Sequence, residues 1–505
     1  MSLPSQANFI FRRLVRPKKW FLATFYISLG GFLNGYDTGS IGSITVMPAF
    51  ESSVATLSPL ARGFTVSLLL LTATFSSLFS GLLADRFGHL PIMLTGALVF
   101  TIGAAIEAGS PNLAALLVGR ALAGIGEGLY LANLSVYICE IAPRRKRGMM
   151  GSTPQAFVSL GAAAGYFTCY GTARIAGDWQ WRLPFVIQVF IGAAFAIACC
   201  LLPKSPRWLI ARNQREAAQA NMKRLDFEQE DILLDLFTRD TEVSQSEQQP
   251  SLSSRDIMNV FSKQYRFRTG LALFILGMIQ LSGIDGVLFY APILFTQAGL
   301  PADTASFVAS GVSAILMFAI SIPAFLLADY WGRRAIVFVG GAILATTMLV
   351  VGSIYASGSA AAGRWAVIVS IFVFALTYVS TWAIVGKLYA TEIQPAHSRA
   401  TVNALAQALN WFTNFLTAFI TPVFLARSPA GPYFLFAGFT ILTLVVLFLY
   451  MPETRGRSLE SIQEMFHPPI EKFVSKTKTR LSARTSHAAA VGANGPLRSV
   501  DPRVE

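Results

Sequence analysis

Two stretches of this chain resemble each other and indicate its organisation: GLLADRFGHL at residues 81–90 and LLADYWGRRA at 326–335. A second pair repeats in the same order: YICEIAPRRKRG at 137–148 and LYATEIQPAHSRA at 388–400. Two short patterns that recur in register are the mark of an internal duplication. The sequence therefore predicts two halves with the same architecture.

The composition predicts that both halves lie in a membrane. Hydrophobic residues make up 53% of the 505 residues and charged residues only 13%, whereas soluble domains carry about 25% charged residues. Apolar runs of about 20 residues, the length of a membrane-spanning helix, recur along the chain. We expect an all-α integral membrane protein with twelve transmembrane helices in two pseudo-symmetric six-helix bundles. The segments lie near 21–45, 63–84, 91–109, 112–139, 148–172, 182–202, 267–297, 303–328, 335–356, 365–389, 399–426 and 431–450.

A polar interruption separates the two sets of six segments. Its first part is typical of short amphipathic helices and its Ser/Gln-rich second part of a linker. The predicted regions are a cytoplasmic N-terminus at 1–20, a helical bundle at 21–202, a cytoplasmic loop with short helices at 203–266, a second bundle at 267–450 and a cytoplasmic tail at 451–505.

The basic residues indicate the orientation of the chain. The net charge is +13, but its basic clusters fall before the first segment, after the fourth and eighth, in the central loop and in the tail. By the positive-inside rule, both termini are cytoplasmic. This distribution indicates the lipid bilayer as a partner and argues against nucleic acid. The four cysteines lie within or beside apolar segments, so we expect no disulfide framework. No small-residue cleavage site follows the basic N-terminal residues, so we expect no signal peptide. We also expect a monomer.

With these landmarks, the chain resembles the sugar porter family of the major facilitator superfamily over nearly its whole length. Its local detail is most similar to fungal members that couple transport of a sugar or sugar acid to protons. Beyond the repeats, the resemblance rests on GYDTGSIG (35–42), GRALAGIG (119–126), SPRWL (205–209), QLSGID (280–285), NWFTNF (410–415) and PETRGRSLE (452–460). The resemblance implies a carrier that works by alternating access.

Charged residues at the predicted cytoplasmic helix ends are candidates for a gate. The resemblance implies that they latch the halves when the carrier opens outward and part when it opens inward. The alternative is that they only orient the chain through positive charge. His89, Leu90 and Lys204 depart from the family pattern and indicate a loosened latch. The gate candidates are Asp85, Arg86, Glu140, Arg147, Asp329, Arg333, Arg334, Glu392 and Arg399.

Acids inside the predicted membrane segments are candidates for proton coupling, because a charge in hydrocarbon is costly and is kept for function. The resemblance implies that Asp37 pairs with Arg120 and that protonation of the acid frees the arginine. The alternative is a structural ion pair. Glu127 lies two helical turns after Arg120, where it extends the proton path or makes a polar contact with another helix.

The substrate candidates come from the resemblance, position by position. Sugars are bound by amides, which donate and accept hydrogen bonds, together with aromatic faces. The tenth segment has Lys387 where the family has tryptophan, and the seventh has Ile279 and Asp285 in place of sugar-binding amides. The candidates are Gln155, Gln280, Asp285, Tyr290, Lys387, Asn410, Trp411 and Asn414.

Two interpretations of Lys387 remain open. It either extends its amine to water from the cytoplasmic helix end, or it faces the cavity, where it pairs with Asp285 or meets an anionic substrate. In the second case, a sugar acid or another polyhydroxy acid is the expected substrate, with a neutral sugar as the alternative.

Three functions fit these features. The favoured one is a secondary active carrier in the plasma membrane, which uses a proton gradient as its energy source and needs no cofactor. The alternatives are an exporter of a secondary metabolite and a sugar sensor that does not transport. We expect no enzyme, because the sequence contains no phosphate loop, metal-ligand cluster or nucleophile motif.

Overall fold

The described part of the chain is helical throughout. The structure is a computed structural model, and it describes residues 18–143, 146, 150–151, 153–229, 260–262, 265–301, 305–327, 332–358, 360–394 and 399–454. Its first ten helices are α1 (Lys19–Ile27), α2 (Leu29–Ile44), α3 (Pro48–Ser53), α4 (Pro59–Phe87), α5 (His89–Gly109), α6 (Leu113–Ile141), α7 (Thr153–Thr172), α8 (Trp179–Leu201), α9 (Pro206–Ala211) and α10 (Arg215–Arg224). The remaining nine are α11 (Arg266–Leu281), α12 (Ile284–Phe289), α13 (Ala291–Gln297), α14 (Ala305–Leu327), α15 (Arg333–Ala356), α16 (Ala360–Ser380), α17 (Trp382–Glu392), α18 (Arg399–Arg427) and α19 (Gly431–Tyr450).

Local capping signals fix where the long helices begin. Ser58 accepts a hydrogen bond from the Ala61 backbone N–H at 3.2 Å, and Pro59 occupies the first helical position of α4. Asn112 caps α6 in the same way, through the Ala115 N–H at 2.9 Å. These side chains satisfy N–H groups that have no partner within the helix.

Three predicted segments are each built from more than one helix. The first is divided at Ser28 and the tenth at Thr381. The seventh is broken at Gly283, whose φ of +95° favours glycine, and again at Tyr290. Broken helices leave backbone groups available for contacts inside a bundle. At these three places, one predicted segment therefore corresponds to two or three helices.

Nine helices or continuous helical stretches in the described residues are long and apolar enough to cross a membrane. They are Pro59–Phe87, His89–Gly109, Leu113–Ile141, Trp179–Leu201, Arg266–Phe289, Arg333–Ala356, Ala362–Ala390, Thr401–Arg427 and Gly431–Tyr450. Many large apolar side chains on them are exposed, for example Phe190 at 70% and Phe448 at 64%. A lipid environment explains this exposure, because apolar surface faces hydrocarbon without cost.

Small residues let helices of the first bundle approach closely. A Cβ on Gly35 or Gly39 of α2 would overlap the backbone of Val158 or Ala162 on α7, and one on Gly161 would overlap Phe32. A larger side chain at any of these places would force the two helices apart. Small residues serve the same purpose in membrane helices generally.

The described residues form two apolar cores, one for each half of the chain. The first is built mainly from α1 to α10 and the second mainly from α11 to α19. The halves contact each other along α4 and α18 and along α7 and α14. The predicted division into two bundles therefore has a physical counterpart in the packing.

Several sequence predictions fall outside the described residues. They are the gate positions Arg147 and Asp329, the side chain of Arg399, most of the central loop (230–259) and the tail from 455 onward.

Candidate functional site

A buried ion pair lies inside the first bundle. Arg120 on α6 donates to Asp37 on α2 at 2.6 Å, and the exposed fractions of the two residues are 0% and 3%. Arg120 also donates to the backbone carbonyls of Thr65 (3.3 Å) and Val66 (2.9 Å) on α4. The pair predicted from the sequence is therefore formed, and its two charges stabilise each other away from water.

Two neighbours complete the surroundings of this pair. Gln188 on α8 donates to Asp37 at 3.2 Å and to Ser40 at 3.2 Å. Asn34, on the same helix as Asp37, donates to Glu127, whose second carboxylate oxygen is buried without a hydrogen-bond partner. Glu127 thus contacts another helix inside the bundle, which is consistent with both the extended proton path and a polar contact between helices.

Gln188, Asn34 and a third buried acid, Glu107 on α5, were not predicted from the sequence. Glu107 is fully buried. The signal that identified Asp37, an acid inside an apolar segment, applies equally to Glu107. Gln188 and Asn34 carry a weaker signal, because neutral amides are common in membrane helices.

Polar candidates of the second bundle meet where the broken segments face each other. Gln280 on α11 accepts a hydrogen bond from Tyr378 on α16 at 3.0 Å, and its backbone carbonyl accepts one from Thr417 on α18 at 3.2 Å. Asn410 donates to the Leu276 carbonyl at 2.7 Å. Five helices contribute to this polar region, which we call the polar cluster: Gln280, Asp285, Tyr378, Lys387, Asn410 and Asn414.

Two groups of the polar cluster keep hydrogen-bonding capacity free. Asp285 and Asn414 are nearly buried, yet one side-chain oxygen of each has no hydrogen-bond partner among the described residues. Unsatisfied buried oxygens are costly, so this region is suited to receive a donor-rich ligand. Gln155, on α7 of the other half, is half-buried.

Lys387 lies on α17 with an exposed side chain. Asp285 is the charged group that acts on it electrostatically. The neighbouring Gly386 lies against Ile279, so the three departures from the family pattern lie close together. In the described structure, no ion pair joins Lys387 to Asp285 within 4 Å. This geometry favours the interpretation in which Lys387 faces the cavity over the one in which it extends its amine to water from the cytoplasmic helix end.

Tyr290 and Trp411 lie at the contact between the halves. Both are buried and both belong to the first core, although they come from the second half of the chain. Tyr290 donates to the Ala418 carbonyl at 2.9 Å. In this conformation, each contributes to closing the halves together.

The halves touch near the end of the bundle where α2 ends and α4 begins. Gly42 lies against the Phe289 carbonyl, Gly63 lies against Phe419, and Tyr166 donates to the Leu288 carbonyl. The ion pairs described at the opposite end each join residues of one half. There, His89 faces Glu140 at 3.2 Å, and Arg333 meets Glu392 at 3.3 Å.

Further hydrogen bonds join the gate candidates to residues of their own half. Glu453 accepts hydrogen bonds from the Arg333 and Arg334 backbone N–H groups at 2.9 and 3.0 Å. The Asp85 carbonyl accepts bonds from Trp208 and Arg212, both at 3.1 Å, while Arg86 is exposed. Among the described residues, no group of three or more His, Cys, Asp or Glu residues could hold a metal ion.

The chain is similar to known sugar transporters and to a glucose sensor. A family model described as "Sugar (and other) transporter" matches residues 23–466. The high glucose sensor RGT2 of Saccharomyces cerevisiae is 30% identical over 486 residues, which cover 90% of this chain and 61% of that protein. The sugar transport protein MST3 of Oryza sativa subsp. japonica is 28% identical over 494 residues, 92% of each chain.

Solved structures with the same fold include the xylose transporter XylE. The proton:xylose symporter XylE bound to 6-bromo-6-deoxy-D-glucose matches with a TM-score of 0.73 and 21% identity over 89% of this chain and 99% of that one. The inward open conformation of XylE from E. coli matches with the same TM-score and identity, over 89% of this chain and all of that one. At this identity, the likeness establishes the major facilitator fold.

Proposed function

This chain belongs to the sugar porter family of the major facilitator superfamily, and from that premise we propose that it is a proton-coupled symporter of a sugar acid or sugar. It is a multi-pass protein of the plasma membrane, with the family and fold of transporters. The observation that carries the coupling proposal is the buried Asp37–Arg120 ion pair. A protonatable acid joined to a fixed cation inside a membrane bundle is the form that a proton site takes.

In our proposal, twelve helices span the membrane and both termini are cytoplasmic. The end at which Gly42 meets Phe289 is then extracellular, so the halves touch at the extracellular side. In this proposal, the conformation is the one that opens toward the cytoplasm. The polar cluster and Gln155 line the cavity between the halves. Transport proceeds by alternating access, because rocking the halves would separate them at Gly42 and bring the charged gate ends together.

The chemistry of the cavity supports an anionic sugar. Lys387 supplies a cation whose amine is not engaged with Asp285 in this conformation, and amide groups of Gln280 and Asn414 supply hydrogen bonds for hydroxyl groups. A uronate or another polyhydroxy acid has both a carboxylate for the lysine and hydroxyl groups for the amides. A neutral sugar would leave the lysine charge uncompensated by the substrate.

The proposal is tested by uptake in a cell without its own carriers. We expect accumulation of labelled uronate above the external concentration, which a protonophore collapses to equilibrium. Hexoses, pentoses and polyols serve as the comparison panel. Uphill accumulation that survives the protonophore would contradict proton symport, and no uptake of any panel compound would contradict the carrier function.

We expect Gln155→Ala to weaken substrate affinity about fivefold, because a lost hydrogen bond is worth about 1 kcal/mol. Asn410→Ala should have a larger effect, since Asn410 also holds the Leu276 carbonyl. The measurement is the concentration for half-maximal uptake, with Gln219→Ala, an exposed glutamine on α10, as control. Unchanged affinity in both variants would move the binding site elsewhere.

Two other functions are distinguished by the same assay. The likeness to RGT2, a sensor, supports a sensor function, and a sensor would bind substrate without moving it. An exporter of a secondary metabolite would show efflux from loaded vesicles and no accumulation by cells. The retained Asp37–Arg120 pair favours the carrier over the sensor, since sensing alone needs no proton site.

A further inference from the structure

Glu107, near the end of α5, is a buried acid that the mechanism so far does not use. Its exposed fraction is 0%, and neither carboxylate oxygen has a hydrogen-bond partner in the described part of the chain. Its Cγ lies 2.6 Å from the position that a Cβ on Gly119 would take. Glu107 therefore packs against the residue that precedes Arg120, the arginine of the ion pair.

The charges of this region do not balance if every acid is ionised. Arg120 attracts Glu107, while Asp37 and Glu127 repel it, and all four side chains are buried. One guanidinium would then face three carboxylates. Burying an unpaired ion costs several kcal/mol, so two of the three acids are expected to carry protons.

The hydrogen bonds indicate which acids these are. Asp37 receives bonds from both Arg120 and Gln188, which support a negative charge. Glu127 receives one bond from a neutral amide, that of Asn34. Glu107 receives none. Of the three, Glu107 has the least support for a charge while Arg120 is held by Asp37.

The other groups around Glu107 are already engaged. Arg182 on α8 donates to the carbonyls of Ala108 (2.8 Å) and Ser110 (3.1 Å) and to Asp178. From α4, the Thr65 and Val66 carbonyls face Arg120. Arg120 is therefore the cation placed to change its partner in favour of Glu107.

We propose that Glu107 is a second proton-carrying residue, which passes its proton to Asp37 and then replaces Asp37 as the counter-ion of Arg120. One O–H bond breaks at Glu107 and one forms at Asp37, so the charge of the buried region is unchanged. The cycle closes when Asp37 releases its proton toward the cavity and Glu107 takes a new one. This inference rests on the proposed proton coupling.

The position of Glu107 gives the relay a direction. Glu107 lies two residues before the end of α5, at the end of the bundle where the halves touch, and Arg120 lies seven residues into α6. Glu127 is about 10 Å further along α6. Three carboxyl groups thus succeed one another from the end where the halves touch toward the opposite end, an arrangement typical of membrane proton relays.

The test is infrared spectroscopy of the full chain in lipid vesicles at neutral pH without sugar. Wild type should show the carbonyl stretching band of a protonated carboxyl group that Glu107→Gln lacks. Glu51→Gln, which removes a water-accessible acid paired with Arg62 at 3.5 Å, should leave the band unchanged. In the Asp37→Asn background, Glu107→Gln should no longer remove a band, because Glu107 is then ionised beside Arg120.

A transport measurement supplies the second arm. With labelled D-glucuronate and D-glucose as probes, Glu107→Gln should lower proton-driven uptake at least about tenfold while exchange between equal concentrations continues. Glu107→Asp should restore much of the uptake. If Glu107→Gln does not fold, Glu107→Asp should still shift the band.

Identical infrared bands in wild type and Glu107→Gln would overturn the relay, as would wild-type uptake by that variant. Because the infrared test needs no substrate, it fails independently of the proposed function. Wild-type uptake that does not depend on the proton gradient would contradict the proposed function. The infrared bands would still show whether Glu107 carries a proton.

Discussion

Asp37→Asn is expected to reduce the accumulation ratio to one while exchange of labelled for unlabelled substrate continues. The asparagine keeps the shape of the side chain and its contact with Gln188, but it cannot take up and release a proton. Arg120 donates to Asp37 at 2.6 Å in a fully buried setting, so the proton site and the cation are coupled directly. Without the titrating group, substrate moves only down its own gradient.

The measurement is uptake into vesicles with an imposed pH gradient, followed by counterflow without one. The matched control is Asp178→Asn, which removes an exposed acid paired with Arg182 at 3.4 Å. Uphill accumulation at the wild-type level in Asp37→Asn would exclude Asp37 as the coupling residue. Loss of both accumulation and counterflow would instead indicate a structural ion pair.

The same substitution has a consequence for stability. Removing one partner of a buried ion pair ordinarily costs about 3–5 kcal/mol, because the other charge is left alone. Here Glu107 can ionise and take the place of Asp37, so a smaller loss of thermal stability is expected. The double variant Asp37→Asn with Glu107→Gln should be less stable than the sum of the single variants predicts, since coupled sites are not additive.

Lys387→Met is expected to abolish uptake of sugar acids and to spare or increase uptake of neutral sugars. The Lys387 side chain is exposed and, among the described residues, forms no ion pair with Asp285 within 4 Å. It is therefore placed to meet the carboxylate of a substrate. Methionine keeps the length of the side chain and removes the charge.

A double-mutant cycle separates this model from two others. If Lys387 only neutralises Asp285, Lys387→Met should impair every substrate, and adding Asp285→Asn should restore uptake. If Lys387 is not part of the site, its variant should resemble Lys223→Met, the control at an exposed lysine on α10. Equal loss of acidic and neutral uptake in Lys387→Met would contradict the anionic-substrate model.

Much of this architecture was predictable from local sequence. Helices lie over each of the predicted apolar segments, because helix formation and hydropathy depend on neighbouring residues. The partnership of Asp37 and Arg120 followed from the family resemblance, and the structure brings the two side chains together. The interruptions at Ser28, Gly283 and Thr381 were not predicted, since a run of apolar residues looks the same whether its helix is continuous or broken.

The sequence by itself determined the membrane-spanning class, the duplicated halves, the family, and the residue types of the candidate site. Only the tertiary structure decided which of those residues meet. Glu107 became the neighbour of Arg120 because Gly119 lets α5 approach α6 closely. Gly386, the neighbour of Lys387, packs against Ile279 on α11. Such contacts join residues far apart in the chain, and they depend on the rotation and spacing of packed helices, which the pattern of a single helix does not specify.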